Sequence, residues 1–300
     1  MTDRQPPRSG GPASPALRVL PGAASPAVRV PSGPAFPAFR VPSGADGSRS
    51  PLRHFKPYFK AMNVKIMSFN TQHCLNYVTR RIDFSLMASV IRDQGADVVG
   101  LQEIRGKGMS LLEFRPQAKI LAEKLGYHYY FGPAIKFGGV NPYGNALLSR
   151  FPIISAKVVR IPDPRKRQCK NSYYETRCII SAVVDVEGAG PLNVLVSHFG
   201  LNPDEQRNAV RSALKALKDS SCVLMGDFNV VPDDPVLAPI RERMFDTAEL
   251  FAEPKLSFPS PEPNRKIDYI FASRDLNVVS ADIPAVVASD HRPYVAVIEL

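Results

Sequence analysis

The stretch Val223-Leu224-Met225-Gly226-Asp227-Phe228-Asn229 constrains this chain more than any other. Its first residues form an unbroken apolar run, which reads as a strand buried inside a layered fold. Gly226 interrupts the run, and Asp227 and Asn229 follow where the backbone turns out of the sheet. On extended chain, side chains two residues apart point the same way, so a carboxylate and an amide would aim at one point. Loops at the ends of buried strands are where open α/β proteins gather polar chemistry. An ordinary Asx-type turn would account for the same residues, so the rest of the chain has to decide.

From Asn63 onward strands and helices alternate. Val64–Phe69 reads as a strand ending at Asn70, Phe84–Asp93 has helical spacing, and Ala96–Leu101 is a second buried strand ending at Gln102-Glu103. A helix is expected over 116–125, opened by Pro116 and closed before Gly126. Strands follow at 127–131, 144–149, 153–161, 177–186 and 192–198, with a basic loop holding Arg165, Lys166, Arg167 and Lys170 between the third and fourth. An amphipathic helix spans 203–217, a short helix falls within 232–244, and 253–265 is a proline-rich loop. Strands at 267–271 and 294–300 complete the pattern, with Ser289-Asp290-His291 before the last. Two mixed β-sheets packed face to face with helices outside, an α/β sandwich, satisfy this order.

Residues 1–61 are a different object. A unit of the form x-Pro-Ala-x-Arg-Val begins at Ser14, Ser25 and Phe36, and proline is too frequent for a helix or a sheet ladder to propagate. A disordered Pro/Gly/Ala/Arg-rich extension is expected there, with the folded domain over 62–300 and Met62 as an alternative start. The extension holds nine Lys and Arg against two Asp, so it carries +7 of the chain's net +10. The body is left with only +3, which removes the argument from a basic chain to a DNA-binding body. The cysteines Cys74, Cys169, Cys178 and Cys222 form no CxxC pair, so neither a structural zinc site nor a disulfide framework is signalled, and reduced thiols are the expectation. No run reaches the length of a membrane span, and a cytoplasmic setting is the expectation.

Asn70, Glu103, His198, Asp227, Asn229, Asp268, Asp290 and His291 all fall at strand ends. Strand ends on one edge of a sandwich can converge on a single pocket. Each residue alone has a plain structural explanation, such as a turn, a loop cap or a satisfied core histidine. Together they suit hydrolysis of a phosphate ester. A hard divalent cation takes oxygen ligands, for which Glu103 is the best candidate with Asn70 and Asp290 near it. An attacking water needs a base, which Asp227 or His291 could supply, with Asp268 to orient the His291 ring. Asn229 and His198 are donors of the kind that stabilise charge on the phosphoryl oxygens.

Ser68-Phe69-Asn70, Leu101-Gln102-Glu103, Gly226-Asp227-Phe228-Asn229, Ile267-Asp268-Tyr269 and Ser289-Asp290-His291 resemble, in order, the motifs of the endonuclease/exonuclease/phosphatase family, the deoxyribonuclease-I-like phosphoesterases. The resemblance runs from about Val64 to Leu300. It implies a four-layered α/β/β/α sandwich and a Mg²⁺- or Mn²⁺-dependent phosphoesterase. On that pattern Glu103, Asn70 and Asp290 bind metal, Asp227 and Asn229 position water and phosphate, and His291 paired with Asp268 contacts the scissile phosphate. His198, in Val-Ser-His-Phe-Gly-Leu, is similar to a histidine segment of many members, where the abasic-site enzymes tend to have Tyr. Asn145 and Arg177 lie in further segments that resemble the family's cleft and are expected to contact phosphate, the arginine because its fork suits phosphate oxygens. A small molecule or lipid headgroup is the favoured substrate. A nuclease, gripping a backbone with the Arg165–Lys170 loop and stacking bases on Tyr173 and Tyr174, is the alternative. An inactive binding module of the same fold would have lost a ligand or base, and this sequence has lost none.

Overall fold

A computed structural model describes residues 61–109, 115–169 and 172–300. The expected extension lies outside the described residues apart from Ala61, as does Lys170 of the basic loop. Strand pairing begins at Met62, whose N–H donates to the Leu300 carbonyl at 3.2 Å and whose carbonyl accepts from Leu300 N–H at 3.0 Å.

Two six-stranded mixed sheets form the centre. The first contains β1 (Asn63–Asn70), β2 (Val98–Arg105), β3 (His128–Phe137), β4 (Asn141–Ser149), β11 (Asn277–Asp282) and β12 (Tyr294–Glu299), in the order β11-β12-β1-β2-β4-β3. The second contains β5 (Ile153–Arg160), β6 (Cys178–Val186), β7 (Gly190–His198), β8 (Cys222–Asp227), β9 (Met244–Asp246) and β10 (Asp268–Ser273), in the order β5-β6-β7-β8-β10-β9. Helices α1 (Phe84–Asp93) and α2 (Gln117–Leu125) cover one sheet, and α3 (Pro203–Ala216) and α4 (Ala238–Arg243) the other.

Three apolar layers hold the stack together. Along β1, Val64 and Ile66 enter the layer between the sheets, while Met67 and Phe69 enter the layer beneath α1 and α2. Along β8, Val223 and Met225 face between the sheets and Leu224 faces α3. Burial on both faces explains why these strands read as continuous apolar runs without alternation.

Several elements differ from the sequence expectation. β2 continues past Leu101 to Arg105 through a bulge, so Gln102 and Glu103 lie inside the strand. β3 runs on through Pro133, which an edge strand tolerates because no neighbour needs its missing N–H. The region 232–244 holds a 3₁₀ turn at Pro235–Leu237 followed by α4. β9 and β11 were not expected from the sequence: the first is three residues long, and the second has no buried residue and mixes polar with apolar side chains without alternation.

The register brings the polar strand ends to one edge. β1 and β2 are parallel, with Asn70 opposite Gln102, and β7 and β8 are parallel, with His198 opposite Asp227. β10 is antiparallel to β8, so its first residue, Asp268, also lies opposite Asp227. β12 starts opposite the end of β1, with Tyr294 beside Ser68, which delivers Asp290 and His291 to the same end.

Candidate active site

Asp227, 1% exposed at the end of β8, is the point on which the other side chains converge. Its Oδ2 accepts from Asn70 Nδ2 at 3.1 Å and lies 3.4 Å from His198 Nε2 and 3.5 Å from His291 Nε2. Its Oδ1 accepts from the Asn229 N–H at 2.9 Å. That last bond is the Asx turn of the plain account, and the same carboxylate also stands at the centre of the cluster. Asn229 adopts φ 51° and is not extended, contrary to the expectation of two parallel side chains. Its turned backbone still carries the amide to the cluster, with Nδ2 3.2 Å from His198 Nε2 and donating to the Phe199 carbonyl at 3.2 Å. Gly226 is required by close approach: a Cβ there would lie 1.9 Å from the Ser197 carbonyl oxygen.

His291 bridges two carboxylates. Its Nδ1 donates to Asp268 Oδ2 at 2.8 Å, and its Nε2 faces Asp227. β9 pairs with β10 only at Phe271–Ser273, so Asp268 has β8 as its one strand neighbour, yet it is fully buried. Burial opposes the imidazolium, but the charges of Asp268 and Asp227 and the Asp268 hydrogen bond outweigh it and raise the His291 pKa to about 10. Burial raises Asp227 to about 7, with His291 pulling down and Asp268 pushing up. Burial, then Arg177 and His291, drives His198 well below the ordinary histidine value, so its ring is neutral. Arg177 Nη1 is 3.1 Å from His198 Nδ1, and because arginine only donates, the ring proton sits on Nε2, facing Asp227.

Glu103 stands on the other wall. The β2 bulge gives it φ 60°, a left-handed conformation uncommon for a residue with a side chain, and turns its carboxylate toward the cleft. Oε1 accepts from Asn70 Nδ2 at 3.0 Å, His73 Nδ1 lies 3.8 Å from Oε2, and the charge of this carboxylate adds to burial in raising the Tyr143 pKa. Burial raises the Glu103 pKa, and the neighbouring charge of Asp290 raises it further.

Glu103, whose carboxylate is disfavoured by burial and by the charge of Asp290 in a partly closed site, suits a cation, so Glu103 and Asp290 fit a hard divalent ion. Asn70 fits differently from the expectation, because its NH₂ bridges Glu103 and Asp227 while its oxygen accepts the Gln72 N–H at 3.0 Å. The atoms of Asp227, Asp268 and His291 also lie within 4.8 Å of one another. There the imidazolium already occupies the position a cation would take.

Arg177 and Asn145 part company. Arg177 is at the cluster, paired with Glu175 Oε1 at 2.6 Å, and its Nε is buried without a partner among the described residues. Asn145 is 2% exposed on β4 and donates across the sheets to the Cys178 carbonyl at 3.0 Å, so its amide NH₂ serves the framework. Tyr143 and Glu175 belong to the segments that the sequence reading placed along the cleft, without a role of their own, and His73 was not singled out. His73 lies in three consecutive residues of positive φ, Gln72 to Cys74, which no propensity announces.

The layered sandwich and the ring of carboxylates, histidines and amides at one edge define the class of a phosphoester-hydrolase scaffold. The chain belongs to the endonuclease/exonuclease/phosphatase family, whose sequence model matches residues 67–291. A family protein from Beutenbergia cavernae shares 26% identity at a TM-score of 0.66, over 79% of this chain and 72% of that one. A mannosyl-6-phosphatase from Bacteroides thetaiotaomicron has the same fold at a TM-score of 0.61 and 17% identity, over 78% of this chain and 99% of that one. Protein cwh43 of Schizosaccharomyces pombe is 33% identical over 110 residues, a match spanning 37% of this chain but only 10% of that protein. No helix among the described residues is long and apolar enough to cross a membrane.

Proposed function

We propose that this protein hydrolyses a phosphate ester on a small molecule or lipid headgroup, with Mg²⁺ or Mn²⁺ as cofactor. The observation that carries this reading is Asp227 Oδ2 lying 3.1–3.5 Å from Asn70, His198 and His291, beside the cleft wall that holds Glu103. The phosphatase among the structural relatives supports the same reaction class.

Both ring nitrogens of His291 face carboxylates, so the ring holds both protons and has no lone pair to offer. Asp227 is therefore the base. It takes a proton from water as the oxygen–phosphorus bond forms, and the ester oxygen departs with its bonding pair and is protonated from solvent. The His291 imidazolium, oriented by Asp268, opposes the charge that grows on the phosphoryl oxygens, with Asn229 and Arg177 as further donors. Glu103 and Asp290 would hold the metal ion, with Asn70 fixing the Glu103 carboxylate, and the bound ion would draw charge from a phosphoryl oxygen.

Turnover of bis-p-nitrophenyl phosphate by wild type and Asp227→Asn tests the assignment. Loss of a general base lowers kcat by about 10²- to 10⁴-fold. A variant within a factor of about two of wild type would remove Asp227 from the mechanism. Nuclease action is the second reading, favoured by one observation: Tyr173 is 60% exposed, as a base-stacking platform would be.

A further inference from the structure

The loop 162–168 and the outer face of α3 enclose a pocket of about 590 Å³ that the reaction above does not use. Arg165 lines it from the loop, and Arg207, Arg211 and Lys215 follow one another at four-residue spacing along α3. Like charges at that spacing weaken a helix, so the arrangement has a cost. Among the described residues none of the four forms an ion pair. Arg207 donates to Gln168 Oε1 at 2.6 Å and Arg211 donates to Asn208 Oδ1, both neutral amides that leave the charge in place.

The two carboxylates of the same lining are hydrogen-bonded to neutral donors, which leaves their charge in place and sets two anions against the four cations. Asp204 accepts from the Tyr174 hydroxyl and from Gln168 N–H, each at 3.0 Å, and Asp163 accepts from Thr176 Oγ1 at 3.0 Å. The loop is fastened to the helix by Asn208 Nδ2 donating to the Pro162 carbonyl at 2.8 Å, and Arg167 braces it by lying 4.7 Å over the Tyr174 ring. The result is a preformed concave site with a net positive charge, four cations against two carboxylates. A second, much smaller cavity of about 10 Å³ shares Pro162, Asp163 and Pro164 as walls with this pocket and is also lined by Glu175 and Arg177. Arg177 touches His198, so the pocket adjoins the reacting cluster.

We propose that this pocket binds a phosphomonoester carried by the substrate in addition to the ester that is cleaved. The substrate is then a small molecule or lipid headgroup with at least two phosphate groups. This inference rests on the phosphoester-hydrolase reading, because it places a second phosphate beside the reacting one. The cations line one concavity, and the exposed Tyr173 is not part of that lining, which favours a compact ligand over a nucleic-acid strand.

The test compares dissociation constants of glucose 6-phosphate and glucose 1,6-bisphosphate by calorimetry, on the full chain and on Arg165→Ala/Lys215→Ala. An unchanged melting temperature of the variant verifies its fold. The wild type is expected to prefer the bisphosphate by at least about tenfold, the order of one added charge-assisted contact, and the variant by no more than about twofold. The same ratio in both proteins, or no preference in wild type, overturns the proposal. Phosphatidylcholine vesicles with and without phosphatidic acid separate the sources: retention that needs phosphatidic acid and is lost in the variant assigns the phosphate to a lipid. A single-stranded oligonucleotide that binds wild type and not the variant, with no bisphosphate preference, overturns the proposal in favour of nucleic acid. Turnover of bis-p-nitrophenyl phosphate by wild type is read separately; its absence sinks the hydrolase reading without touching the binding ratio.

Discussion

Asp268, His291 and Asp227 form a buried row of acid, base and acid, and the middle residue takes its charge from its neighbours. The His291 pKa is raised from 6.5 to about 10, so the stability its imidazolium contributes is fully present below pH 6.5 and is lost as pH rises through about 10. His198 is shifted the other way, and its neutral ring is favoured in the folded state until the pH falls below its own depressed pKa. Ring ¹⁵N chemical shifts of the metal-free protein check this directly. At pH 8 His291 is expected to show both nitrogens protonated, and at pH 6 His198 is expected to show a neutral ring. Titration of His291 near 6.5 would contradict the arrangement. The sequence displayed these residues by their place at strand ends, and a histidine beside an acid is a recognisable pattern. It did not display which nitrogen faces which carboxylate, because that depends on register between β8, β10 and β12, whose residues are far apart in the chain.

At the scale of elements, the strand ends do the positioning. β7 and β8 approach so closely at Ser197 and Gly226 that a methyl group would meet the Ser197 carbonyl at 1.9 Å. Gly226→Ala is therefore expected to destabilise the protein by about 2 kcal/mol or more, as overpacking at a rigid contact does, and to displace Asp227. A thermal melt within a degree of wild type would contradict this. Most helices and strands were legible because two-faced burial and helical spacing leave strong patterns, as in β8 and α1. The β2 bulge was not. Leu101-Gln102-Glu103 reads as a strand that has ended, since two polar residues follow an apolar run, and only the register with β4 shows the strand resuming at Ile104. Asn145 shows the converse: the amide sits in a motif-like segment but faces the opposing sheet, and sequence carries no sign of which face a buried polar residue takes.

For the whole molecule, two sheets bring six separated segments to one edge, and the layers beneath are apolar enough to fix them there. The chemistry proposed for that edge depends on a divalent cation at Glu103 and Asp290, which defines the measurement that matters most. Hydrolysis of bis-p-nitrophenyl phosphate is followed after chelation with EDTA and during titration with Mg²⁺ or Mn²⁺, for wild type and Glu103→Gln. Activity is expected to vanish on chelation and return with either ion, and Glu103→Gln is expected to need at least about tenfold more metal for half activation. Full turnover in EDTA, or an identical metal dependence in the two proteins, would contradict the account.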